Sequence, residues 1–214
     1  MADYSKSDHW SVKAQREGYP ARSVYKLKEM DEKFGLLRQG RGTVKILDLG
    51  AAPGSWSLYI LRKFLDCTGK KETINFSLVS VDLASLSRQH DGGLFERPEF
   101  CFLKGDFTLG QVREEILSRG PYNLIVSDAA PATTGNRSVD TLRSLDLAET
   151  ALGYAESSLV KGGSLVVKIF QGGEASAFLK TLRGLFESAK GFKPEACRAE
   201  SFETYYLGLG KKEA

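Results

Sequence analysis

Lys168 stands inside Ser164–Phe170, S-L-V-V-K-I-F, an apolar run that reads as a central strand. Lysine is almost never buried without a counter-charge, so this one must reach a carboxylate or a cleft. Asp128 ends L-I-V-S-D, on the strand expected beside it. In F-E-T-Y-Y-L-G-L, alternation puts Glu203 on one face with Tyr205, Leu207 and Leu209, so a carboxylate opens an apolar face. Lys26 lies at the border of the helical stripe formed by Val24, Leu27, Met30 and Phe34. These are two cations and two anions drawn from one helix and three strands. Such a set can hold a hydroxyl and accept its proton. It suits a deprotonated alcohol attacking a cationic carbon donor, and it needs no metal. Whether burial or the carboxylates govern the protonation of such a lysine is open at this level. The ordinary alternatives are a structural salt bridge, a snorkelling Lys26 and an edge position for Glu203.

The element that must position this chemistry is Val44–Trp56, V-K-I-L-D-L-G-A-A-P-G-S-W. Val44–Leu49 is a short apolar run, as a buried parallel strand would be. Gly50-Ala51-Ala52-Pro53-Gly54 follows, and its small residues let backbone approach a ligand. Pro53 suits the first turn of a helix, and Ser57–Leu65 supplies a helical pattern. Strand, tight turn and helix make a nucleotide-type cradle, although G-x-G-x-x-G is absent. Further strands are expected at Phe76–Asp82, Phe100–Leu103, Asn123–Ser127, Ser164–Phe170 and Phe202–Leu209, with Phe192 in one more. Helices are expected from Pro20 to about Phe34 and over Gln111–Ser118, Val139–Leu159 and Glu174–Glu187, with Gly162-Gly163 capping the third. This alternation implies a doubly wound, mostly parallel α/β sheet. Asp48, Asp82, Asp106, Asp128 and Lys168 then fall at or near the crevice along the carboxyl ends of its strands.

The 214 residues, 42% of them hydrophobic, suffice for one core. The net charge of +3 is concentrated at the amino end, where residues 1–45 carry ten Lys/Arg against six Asp/Glu. Residues 1–19 read as a polar, irregular basic arm ahead of a single domain over residues 20–214. Tyr4, His9, Trp10 and Tyr19, set among Lys6, Lys13 and Arg16, could stack on single-stranded nucleic acid or staple the arm to its own domain. Cys67, Cys101 and Cys197 are too few and scattered for a disulfide framework. With two histidines and no C-x-x-C, a zinc site is not expected. No apolar run approaches a membrane span, and Met1–Asp8 is unlike a signal peptide, so a cytoplasmic protein is expected.

L-D-L-G-A-A-P-G-S-W, V-D at 81–82, G-D-F at 105–107, S-D-A-A-P at 127–131, V-V-K-I-F-Q-G at 166–172 and R-A-E-S-F-E-T-Y at 198–205 resemble the FtsJ/RrmJ-type ribose 2′-O-methyltransferases. K-A-Q-R-E-G-Y-P-A-R-S-V-Y-K-L extends the resemblance to the amino end. The resemblance implies a seven-stranded Rossmann-like methyltransferase domain using S-adenosyl-L-methionine. It implies a catalytic tetrad of Lys26, Asp128, Lys168 and Glu203, with Lys168 as proton acceptor. The implied cofactor contacts are Gly54, Trp56, Asp82, Asp106 and Asp128, with Asp82 on the ribose and Asp106 at the adenine edge. G-S-W replaces the family's usual G-G-W, and a serine is expected to have little consequence there. The implied partner is RNA, with a uridine of large-subunit rRNA, free or in an assembling particle, as the favoured target, methylated by a monomer. The alternatives are a tRNA anticodon-loop ribose and a non-catalytic ribosome-assembly factor that kept the fold. A nicotinamide dehydrogenase lacks its fingerprint. A cytosine-C5 enzyme lacks a cysteine near Pro131, and an amino-methylating enzyme lacks the aromatic after Asp-Pro-Pro.

Overall fold

Val44–Leu49 forms β1, the central strand of the computed structural model, which describes residues 9–38, 42–65, 75–172, 175–198 and 200–213. β2 (Phe76–Asp82), β3 (Phe100–Lys104), β4 (Tyr122–Ser127), β5 (Leu159–Phe170), β6 (Phe186–Phe192) and β7 (Glu203–Lys211) complete one sheet. Its order is β3-β2-β1-β4-β5-β7-β6. The first five strands run parallel, while β7 is antiparallel to both β5 and β6. The strands expected from the sequence are therefore present, in a mostly parallel sheet with helices on both faces.

Two clusters of buried side chains fill the two faces, and strand alternation assigns residues to each. Leu47, Leu49, Ile125, Leu165 and Val167 pack with α5 (Arg137–Ser158) and α6 (Ala175–Leu185). Ile46, Leu124, Val126, Val166, Tyr205 and Leu207 pack with α2 (Val24–Phe34) and α3 (Ser55–Leu65). The shorter α4 (Gly110–Arg119) contributes Ile116 to the first cluster. α2 ends on Gly35 at φ +66°, whose N–H reaches Asp31 O. A left-handed residue without Cβ closes a helix in this way.

Several expectations are corrected. Residues 9–16 are not an irregular arm but a helix, α1 (His9–Arg16). Its Ala14 is buried with Val24, Tyr25 and Ala196, and Trp10 packs 5.0 Å from the Tyr25 ring. Lys13 lies over both rings, and Arg62 covers Tyr19. Trp10 and Tyr19 therefore staple the amino end to the domain, the second of the two readings. Tyr4, Lys6 and Cys67 lie outside the described residues, as does the expected helix start at Glu174. Gly162-Gly163 does not cap α5, which ends at Ser158 with β5 starting at once. The pair lies inside the strand, where a Cβ at Gly163 would come 2.9 Å from Val160 O and 3.0 Å from Asn123 O. α2 begins at Val24, not Pro20, because the Ala21 main chain is engaged elsewhere: Ser55 Oγ accepts from its N–H at 2.9 Å and donates to its carbonyl at 3.1 Å. Pro53 lies in the turn before α3, not in its first turn.

Candidate active site

Strand order reverses between β1 and β4, and the loops leaving these two strands meet over a crevice at their carboxyl ends. Gly50, at φ +75°, makes the meeting possible: a Cβ there would stand 2.6 Å from Ala129 Cα. The crevice opens into a cleft of about 640 Å³ lined by Gly50, Ala52, Asp82, Asp106, Phe107 and Asp128, among others. Asp82 is oriented by main chain, accepting from Ala52 N–H at 2.9 Å on Oδ2 and from Ala84 N–H at 2.8 Å on Oδ1. Each carboxylate oxygen keeps acceptor capacity for a further donor such as a sugar hydroxyl. Asp106 is oriented by Thr108, whose N–H and hydroxyl both donate to its Oδ1. Leu83, 68% exposed at the mouth, offers an apolar platform. A glycine turn with no room for a side chain, two fixed carboxylates and apolar walls fit a nucleoside that carries a cation.

The other two expected cofactor contacts, Gly54 and Trp56, lie in the turn after β1 and at the start of α3. Gly54 is held at φ +106°, and a Cβ there would meet Phe95 at 2.9 Å. Trp56 is 2% exposed, and its indole N–H donates to Ser23 O at 2.7 Å. Neither lines the cleft. Of the five, Asp82, Asp106 and Asp128 line the cavity.

The four charged residues do converge. Alternation puts Asp128 two residues beyond Val126, Lys168 two beyond Val166 and Glu203 two before Tyr205, all on the sheet face that α2 covers. Lys26 reaches them from α2. Lys168 Nζ is 2.9 Å from Asp128 Oδ1 and donates to the Asp128 carbonyl at 2.6 Å. Lys26 Nζ is 2.7 Å from Glu203 Oε1. The sequence did not single out Tyr205, which links the two pairs: its hydroxyl donates to Asp128 Oδ1 at 2.6 Å, and Lys26 Nζ lies 5.8 Å from its ring centre. Its place on the apolar face next to Glu203 was the available signal.

The electrostatics follow from this mutual screening. Burial pushes the Asp128 carboxyl up, but the charges of Lys168 and Lys26 and the hydrogen bonds from Tyr205 and Lys168 hold it below the usual range. Burial pulls Lys26 down, yet Asp128 and Glu203 keep its ammonium above its ordinary value. Burial, then Asp128 and Glu203, raise Tyr205 well above a free phenol, so it stays a neutral donor. Lys26 and Asp128 therefore remain ionised at neutral pH. Among the described residues no group of three or more His, Cys, Asp or Glu could hold a metal ion.

A second cavity, of about 300 Å³, opens on the other side of the charged group, and Lys26 and Glu203 line it with Arg22, Ser23, Arg198 and Ser201. Asp128 of the tetrad thus lines the larger cavity and Lys26 and Glu203 the smaller, while Lys168 is held against Asp128. Sequence analysis did not single out Arg22 or Arg198, whose signal was their position beside Lys26 and Glu203 in the two outermost motifs.

A family model described as FtsJ-like methyltransferase matches residues 19–211. A ribosomal RNA large subunit methyltransferase E of Treponema denticola is 49% identical over 209 residues, covering 98% of this chain and 97% of that protein. Another, from Borrelia duttonii, is 44% identical over 204 residues, 95% of this chain and 96% of its own. Among solved structures, a Plasmodium falciparum protein described as a ribosomal RNA methyltransferase superposes with a TM-score of 0.72 at 24% identity, covering 92% of this chain and all of that one. Human methyltransferase-like protein 13 shares the fold at a TM-score of 0.56 and 15% identity.

Proposed function

The chain belongs to the FtsJ-like methyltransferase family, and from that premise we propose that it methylates the ribose 2′-oxygen of a large-subunit ribosomal RNA nucleotide, a uridine, using S-adenosyl-L-methionine. The observation that carries this reading is the tetrad, which lines a nucleoside-sized cleft through Asp128 and a smaller cavity through Lys26 and Glu203. When bound, S-adenosylmethionine would supply a methyl group on a cationic sulfur, with S-adenosylhomocysteine as its leaving group. Asp82 holds its ribose hydroxyls, Asp106 the adenine edge, and Asp128 borders the reacting end. Gly54 and Trp56 serve the same group through the shape they give the turn.

On the acceptor side, Lys26, paired with Glu203, donates to the oxygen of the 2′-hydroxyl. Lys168 receives the hydroxyl proton, and Asp128, fixed by Tyr205, orients the Lys168 amine. Alignment of donor and acceptor supplies most of the acceleration, and proton removal about 10²–10⁴-fold. The enzyme acts as a monomer in the cytoplasm, where the assembling large subunit presents the RNA.

The test is transfer of labelled methyl groups to total RNA from cells lacking the protein, followed by nuclease digestion and nucleoside analysis. Label in a 2′-O-methylnucleoside of large-subunit rRNA is expected. Label in tRNA would move the substrate to the anticodon loop. Label on bases would overturn the reaction, and absence of label would leave a binding protein.

A further inference from the structure

Donor and acceptor are bordered by different stretches of chain. Asp82 and Leu83, where β2 passes into the loop of residues 83–93, line the larger cavity. Ala21, Arg22 and Ser23, in the segment that links α1 to α2, line the smaller one with Lys26. Methyl transfer in line needs the two sides fixed relative to each other, since a misplacement of about 1 Å can cost about 10²-fold in rate.

The turn after β1 is tied to both stretches. Ser87 N–H donates to Pro53 O at 2.9 Å, which holds the loop after β2 against the turn. Ser55 bonds Ala21 twice, and the Trp56 indole reaches Ser23 O, so the linking segment is held as well. Arg62 of α3 then joins loop and segment to each other. Its Nη2 donates to His90 O at 3.0 Å on the loop side and to Gly18 O at 2.8 Å on the segment side. Its Nη1 donates to Glu17 O at 3.1 Å, and its guanidinium lies 4.5 Å from the centre of the Tyr19 ring. Gly18 is suited to this contact: it sits at φ +72°, where a side chain is strained, and a Cβ would stand 3.4 Å from Arg62 Nη2. Three carbonyls in two directions and one ring face make use of a planar fork with five donors, which an ammonium does not have.

We propose that Arg62 is a positioning residue for methyl transfer, setting the loop that borders the donor against the segment that borders the acceptor. It touches neither substrate, because its bonds go to main-chain carbonyls of the protein. Its effect is on the alignment of the two cavities and not on the affinity of either. The proposal rests on the reading of the larger cavity as the donor site and of the tetrad as the acceptor site.

The test compares wild type with Arg62→Met and Arg62→Lys, below the melting temperature of each. Transfer to undermethylated large-subunit rRNA is followed in a single turnover with RNA and S-adenosylmethionine saturating. Arg62→Met is expected to be about tenfold slower, and Arg62→Lys to fall between it and wild type. Affinities for RNA and, by calorimetry, for S-adenosylhomocysteine should stay within about twofold of wild type, the pattern of an interaction that matters only in the transition state. The slope of log K for RNA against log salt should not change. Gly18→Ala, which disturbs one acceptor of the fork, should give a smaller loss of the same kind, and it decides if Arg62→Met does not fold. A wild-type single-turnover rate in a variant with a lowered melting temperature would show that Arg62 serves the fold alone and would overturn the proposal. So would a salt slope reduced by about 0.7–0.9, the mark of a lost phosphate contact. A loss of S-adenosylhomocysteine affinity as large as the loss of rate would confine the effect to the donor cleft and overturn it too. No transfer by the wild type would overturn the proposed reaction and this role with it, whereas equal rates in wild type and variants would overturn the role alone.

Discussion

At the scale of single residues, the same burial does opposite things to different carboxylates. Asp128 is kept ionised by two lysines and a tyrosine. Asp48, fully buried in β1, has Ser57 as donor to one oxygen and, among the described residues, no partner on the other, and burial pushes it up to about 7. The folded protein then holds a proton that the unfolded chain has released, so stability falls as pH rises from about 4 to about 7 and levels off above. Unfolding by urea at about pH 5 and pH 8 should show wild type losing more stability than Asp48→Asn; equal losses would mean that Asp48 titrates normally. In the site itself, Lys168→Ala should lower turnover at least about 10²-fold while leaving cofactor affinity nearly unchanged. Near-normal turnover would remove Lys168 as proton acceptor. Asp82→Ala should weaken cofactor binding about tenfold or more in calorimetry, since two hydroxyls lose a charged acceptor, with an unchanged value counting against the ribose contact.

At the scale of elements, small residues set how closely segments meet. The serine of G-S-W was expected to be inconsequential, yet Ser55 bonds Ala21 twice and ties the cofactor turn to the segment bearing Arg22. Ser55→Gly should therefore cost about 1–2 kcal/mol in denaturant unfolding and raise KM for RNA more than for the cofactor. An equal rise in both would argue that Ser55 supports the fold only in general. The amino-terminal helix is the other element that sequence misjudged. Its aromatic residues have the composition of an RNA-binding arm, but Trp10 is committed to Tyr25 and Lys13. Trp10→Ala should lower the melting temperature by several degrees, the effect of about 1–3 kcal/mol, and leave KM for RNA within about twofold. A changed KM at constant melting temperature would restore the arm as an RNA contact.

At the scale of the whole molecule, six strands and the crevice at the β1/β4 switch point were legible because apolar runs of strand length alternate with helical patterns along the chain, whereas β6 was marked by Phe192 alone, its first two residues being expected in the preceding helix. The four charged residues were legible for a related reason: Lys168 and Glu203 interrupt periods that otherwise predict burial, and a charge there requires a partner. Other features had no local signature. The helix over residues 9–16 is polar by sequence and was decided by a patch from Val24, Tyr25 and Ala196 that only packing assembles. The cap of α5 was misassigned because Gly162-Gly163 resembles one, whereas close approach to β4 is what requires glycine at 163. The partner of the Trp56 indole, the Ser23 carbonyl, likewise has no sign in the spacing. Sequence by itself thus determined which residues bear charge against pattern and which strands carry them, because periodicity is a local property of the chain. The tertiary structure alone decided that Arg22 and Arg198, 176 positions apart, share one cavity with the Lys26–Glu203 pair. That follows from crossing helices and an antiparallel return of β7, whose distances no spacing along the chain encodes.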